Sequence, residues 1–117
     1  MKPTVSDDEQ AQLTKLRRCL ETFKLISGRM PLQYVITLLA VAGNEGKGVS
    51  DYAQMLGVNT TTMSRHLLDI GARNRQMEEG FGLVSYRANP MELRKHEYYL
   101  TPKGKQFVQT MLRELNS

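Results

Sequence analysis

Two short amphipathic stretches separated by a single glycine, Gly57, constrain this chain more than any other feature. Before it, DYAQMLG puts Tyr52, Ala53 and Leu56 on the inward face of a helix, with Val49-Ser50 as a minimal strand and Ser50 as the cap. After it, Asn59 is a good N-cap, and Met63, Leu67 and Ile70 follow at i, i+4 and i+7, the stripe by which a second helix packs on the first. Gly57 breaks the first helix, and Ala53 and Gly57 supply small side chains for a close helix crossing. Two helices joined by a tight turn containing glycine form a helix-turn-helix unit. The second helix opens on Thr60-Thr61-Thr62, β-branched residues that lose χ1 freedom in a helix and do little for its stability. Rotation of about 100° per residue from Met63 places Thr61 and Arg65 on the outward face, flanked by Thr62 and Asp69, and leaves Thr60 nearest the buried side.

The surrounding chain completes an architecture. Ser6 precedes an acidic turn, Asp7-Asp8-Glu9, and Leu13, Leu16, Leu20 and Phe23 follow at helical spacing, so a first helix is expected over about 6–27. Ser27-Gly28 ends it, and Pro31 opens LQYVITLLAVAG, apolar on nearly all sides and therefore the central buried helix. Downstream, FGLVSYRA reads as a strand, ANPMELRKH as a basic tip and EYYLT as the returning strand. Thr101 caps a final helix with Pro102 at its first position and Phe107, Met111 and Leu115 on one stripe. The expectation is a mainly α chain with a small β-hairpin wing (α+β): one winged helix-turn-helix domain over 1–117, with a core at 31–101 and a C-terminal helix at 102–117.

Such a unit places the first turn of its second helix in the major groove of double-stranded DNA. There hydroxyls reach phosphates or base edges, and an arginine binds guanine bidentately. Asn59, Thr61, Thr62, Ser64 and Arg65 are therefore the candidate contacts, with Arg65 reading a base. The charge supports an anionic partner without requiring one: the 117 residues carry a net +4.

The block from Val49 to about Phe107 resembles the MarR family of winged-helix regulators. The resemblance rests on MLGVNTTTMSRHL, on Gly82-Leu83-Val84 at the entry to the wing, and on NPMELRKHEYYLTPKGKQF, which is similar to the family's acidic residue and Arg followed by Leu-Thr-x-x-Gly. It implies that Arg94 enters the minor groove with Glu92 orienting it, and a narrow groove's negative potential favours a guanidinium there. Arg87 and Lys95 join this basic surface, while Lys95, Lys103 and Lys105 add salt-sensitive affinity if they face DNA. The chain departs from the family between Ile70 and Gly82, where eleven residues, GARNRQMEEGF, make a longer link. Arg73 and Arg75 in that link either contact flanking phosphates or belong to a solvated loop.

A dimer on a palindromic site is the expected assembly, as in the resembled family. Leu13, Leu16, Leu20 and Phe23 of the first helix, with Met111 and Leu115 of the last, would form its interface; both seams could instead complete the protomer core. The lone Cys19 excludes an internal disulfide, and beside Arg17-Arg18 it is either a thiol activated for redox sensing or a small packed hydrophobe. With two histidines and no phosphate loop, nucleophile elbow or metal spacing, neither catalysis nor a cofactor is expected, and His66-x-x-Asp69 reads as a surface pair. No apolar run of membrane-spanning length and no secretory leader order is present, so a cytoplasmic protein is expected. Winged helices also serve as architectural, replication or partition proteins and as protein-docking modules. A docking surface would be apolar at its centre, unlike Thr61, Thr62, Arg65, Arg87, Arg94 and Lys95. The expected function is a dimeric transcriptional repressor.

Overall fold

A computed structural model describes residues 4–26, 28–72 and 80–117, with Leu93 described by its backbone alone. The order of elements is α1 (Asp7–Glu21), a single 3-10 turn (Thr22–Leu25), α2 (Leu32–Gly43), α3 (Val49–Leu56), α4 (Thr60–Asp69), β1 (Val84–Asn89), β2 (Glu92–Leu100) and α5 (Pro102–Leu115). The mainly helical architecture with one antiparallel hairpin is the expected one.

Local chemistry sets most boundaries. Ser6 caps α1 reciprocally: its hydroxyl accepts the Glu9 N–H at 3.2 Å, and its own N–H donates to Glu9 Oε1 at 2.9 Å. These bonds hold the Glu9 carboxyl below its ordinary range. The α-helix stops at Glu21 rather than near 26, and the 3-10 turn carries Phe23 into the core, edge-on to Phe107 at 4.8 Å. Pro31 is the cap of α2, with ψ at 144°, and not its first helical residue. Nor is α2 buried all round. Val35, Thr37, Leu38 and Val41 are buried, while Leu32, Ile36 and Leu39 are exposed on another face.

The expected strand at Val49-Ser50 is absent. Both residues are helical, and the cap is Gly48, whose N–H donates to Asp51 Oδ2 at 2.9 Å. Backbone pairing with the hairpin falls just upstream, where the Gly46 N–H donates to the Tyr98 carbonyl at 2.8 Å and the Tyr98 N–H to the Lys47 carbonyl at 2.9 Å. The α2–α3 turn thus docks on β2. Gly57 ends α3 with φ at +68°, and a Cβ there would meet nothing within 4 Å. Its role is backbone conformation, not the close crossing expected of it. Ala53 is the small residue that is buried.

The core joins Phe23, Leu38, Val41, Tyr52, Met63, Leu67, Ile70, Leu83, Val84, Tyr98, Leu100, Phe107 and Met111. The α4 stripe is the expected one. The hairpin pairs Val84 with Leu100 and Tyr86 with Tyr98 in regular register, then breaks between Ala88↔His96 and Asn89↔Glu92. Leu93, Arg94 and Lys95 occupy that irregularity inside β2, so the tip is shorter than ANPMELRKH. The Thr101 hydroxyl accepts the Gly104 N–H at 3.0 Å and Pro102 opens α5, as expected. No helix among the described residues is long and apolar enough to cross a membrane.

Candidate nucleic-acid interface

The site begins with the cap of α4. Asn59 Oδ1 accepts the Thr62 N–H at 2.7 Å, which commits that oxygen to the helix start. Beyond it, Thr60, Thr61, Ser64, Arg65 and Leu68 are exposed, whereas Thr62 and His66 are half-buried. The threonine run is therefore oriented otherwise than expected: Thr60 faces solvent, and Thr62 lies nearer the packed side. Helical rotation groups Thr61, Ser64, Arg65 and Leu68 at i, i+3, i+4 and i+7 on one outward face.

Asp69 also departs from expectation. It is buried, and its Oδ2 accepts a hydrogen bond from the Tyr34 hydroxyl of α2. The pair expected between His66 and Asp69 is replaced by this bond, with the His66 ring packed edge-on against Tyr34 at 5.3 Å.

On the hairpin, the Arg87 guanidinium lies over the Tyr99 ring, 4.2 Å from its centroid, and is opposite Glu97 in register. The Tyr99 hydroxyl donates to Glu97 Oε2 at 3.0 Å, and that bond pushes the phenol pKa up. Arg87 is thus ordered on the hairpin stem. Arg94 is exposed and pairs with no carboxylate among the described residues, while Glu92 lies 3.5 Å from Lys95. The acidic partner expected to orient Arg94 instead holds its neighbour. A cleft of about 390 Å³ between the hairpin and the start of α3 brings Arg94, Lys95 and His96 together with Ser50 and Asp51. Ser50 and His96 were not anticipated there, because only the β2 irregularity and the α3 start bring them close. The Lys103 ammonium donates to the Phe81 carbonyl at 2.9 Å. Arg73 and Arg75 lie outside the described residues.

The terminal helices pack on each other and leave an apolar face. Leu16 is 51% exposed and Leu115 48%, with Leu13, Leu20 and Leu112 similar. Phe23 and Met111, expected in the same interface, are buried in the chain's own core, because the 3-10 turn and the α5 stripe aim them inward. Cys19 is buried with its thiol 3.4 Å from the Met111 carbonyl, and burial followed by the nearby Glu114 charge pushes its pKa up. That is the reverse of activation by Arg17-Arg18. Native Cys19 should label with a thiol reagent at least about tenfold slower than in the unfolded chain, and peroxide treatment should leave its titration unchanged. Rapid loss of the native thiol would contradict this assignment.

A helix-turn-helix followed by a two-stranded hairpin and flanked by mutually packed terminal helices defines a MarR-like winged helix. The chain is similar to solved structures of that type. With the transcriptional repressor CouR bound to a 23-mer DNA duplex it shares 23% identity and a TM-score of 0.61, covering 93% of this chain and 70% of the other. With the S. aureus MepR–DNA complex the identity is 17% and the TM-score 0.66, covering 92% and 78%. With wild-type MarR (apo form) from E. coli the values are 14% and 0.64, covering 100% and 79%. No family model and no curated protein matches the sequence.

Proposed function

We propose that the chain is a sequence-specific regulator of transcription that binds double-stranded DNA, acting in the cytoplasm as a dimeric repressor on a palindromic site. The observation that carries this reading is the outward face of α4, where Thr61, Ser64 and Arg65 are exposed together on a winged helix that also bears an exposed Arg94. Hydroxyls and a guanidinium suit base edges and phosphates in a major groove, and Arg94 on the wing suits the adjacent minor groove. Two solved structures of this fold, the CouR and MepR complexes, contain DNA. The polar composition of the α4 face argues against a protein-docking role, which would need an apolar centre.

Within the single domain of 1–117, α1 and α5 serve dimerisation, and the elements from α2 to β2 serve DNA binding. In the dimer, two copies of α4 would enter major grooves about 34 Å apart. Repression follows sterically from occupying a promoter. Arg65 is the base-reading residue, Thr61, Thr62 and Ser64 contact the groove walls, and Asn59 positions them through its cap. Arg73, Arg75, Arg87 and Lys95 supply phosphate contacts. Arg65→Ala should cost about 1–3 kcal/mol on a duplex selected by the wild-type protein and relax sequence preference at one position per half-site. Fluorescence anisotropy against selected and scrambled duplexes checks it. Equal losses on both would make Arg65 a phosphate anchor instead.

A further inference from the structure

We infer that the bond between the Tyr34 hydroxyl and the Asp69 carboxylate sets the angle between α4 and the hairpin, which makes both of them positioning residues for DNA recognition; this rests on the reading of α4 as the recognition helix. Asp69 is the last residue of α4, at the negative pole of the helix macrodipole, where a carboxylate is unfavourable. It is also buried, which adds a desolvation cost. The helix itself offsets neither cost.

The contacts of Asp69 do. Through its side chain Asp69 receives the hydroxyl of Tyr34, which ties α4 to α2. Through its backbone carbonyl it receives the Phe81 N–H at 3.3 Å, and the next residue, Ile70, receives the Leu83 N–H at 2.8 Å. Those two bonds fix the stretch that enters β1 at Val84. Tyr34 touches the same stretch with its ring, edge-on to Phe81 at 6.2 Å, while its opposite contact is His66. One aspartate therefore joins the helix behind α4, α4 itself and the approach to the hairpin. From the other side, α5 holds that approach through Lys103 on the Phe81 carbonyl and Thr101 on the Gly82 carbonyl at 2.7 Å. A helix and a hairpin that engage neighbouring grooves together need a fixed mutual angle, because tolerances at such constellations are about 0.5 Å and 10–20°.

Tyr34→Phe keeps both ring contacts and removes only the hydroxyl. In this variant, amide exchange at Phe81 and Leu83 should accelerate about tenfold while Leu38 and Val41 in α2 remain as protected as in the wild type. Binding to a duplex selected by the wild-type protein from a randomised pool should weaken about tenfold, and binding to a scrambled duplex by less than about twofold. Asp69→Asn, which keeps an acceptor oxygen for the Tyr34 hydroxyl, should retain binding to within about threefold of wild type. Unchanged exchange at Phe81 and Leu83 would overturn the tie. Equal losses on the two duplexes would overturn its role in specificity. If the wild-type chain binds no duplex, the DNA-binding reading fails and takes the recognition role with it, while the exchange rates still decide whether Tyr34 and Asp69 hold the hairpin's approach.

Discussion

Replacing Gly104 with alanine is expected to destabilise the fold by about 2–3 kcal/mol, read as a lower urea midpoint at unchanged slope. A Cβ at position 104 would stand 2.1 Å from the Leu83 carbonyl oxygen and 3.1 Å from its carbon. Both are backbone atoms, and neither is free to withdraw. The Leu83 carbonyl accepts the Thr101 N–H at 3.0 Å, while the Leu83 N–H is bonded to Ile70. Helix propensity alone argues the other way, since alanine is favoured over glycine by about 1 kcal/mol inside a helix. The sign of the change therefore separates the two effects, and an alanine variant as stable as wild type would show that the crossing is looser than described. The same contacts give Leu-Thr-x-x-Gly a physical meaning. Thr101 bonds the hairpin's entry at Gly82 and Leu83 and caps α5 through the Gly104 N–H, and Gly104 lets α5 pass under that entry.

If α1 and α5 form the proposed dimer interface, Leu16→Glu should yield a monomer with little loss of folding stability, because Leu16 is already half-exposed in the single chain. Two-fold symmetry would bury one unpaired glutamate from each copy in the interface, so its desolvation cost is incurred twice. Two linked recognition helices gain about 10²–10⁴ in avidity over one, and the variant should lose affinity for a two-fold site by a factor of that order. Light scattering and a titration on full and half sites measure the two effects. Wild-type protein that is monomeric at micromolar concentration would remove the basis for the interface, as would a variant that remains dimeric.

Residues whose structure depends on near neighbours were readable directly. Asn59 before an apolar stripe, Ser6 three residues before Glu9, and Thr101-Pro102 before Phe107 are local signals, and each cap forms as its chemistry requires. Most of what failed depends on partners distant in sequence, although the caps at Pro31 and Gly48 are local and were also misplaced by one or two residues. A helical wheel put Asp69 outside because it carries no knowledge of Tyr34, 35 residues earlier. The same wheel put Thr60 inward, yet as the first residue of α4 it is exposed. Alternating residues suggested the hairpin, but not the break in register that holds Arg94 and Lys95 within β2 and gives Glu92 to Lys95. In the terminal helices the periodicity found the apolar positions, yet it could not divide them between core and outer face. Phe23 and Met111 turn inward, and Leu13, Leu16, Leu20, Leu112 and Leu115 remain outside. Cys19 shows the same limit, since nearby arginines in sequence say nothing about burial.

Selection of duplexes from a randomised pool by the full chain, followed by hydroxyl-radical footprinting of the enriched sites, tests the DNA-reading role most directly. The expected result is a palindromic consensus with protections repeating about every 10–10.5 base pairs and related by two-fold symmetry, and Arg65→Ala should relax that consensus at one position per half-site. Binding with no enriched sequence, or no binding to double-stranded DNA at low salt, would contradict it.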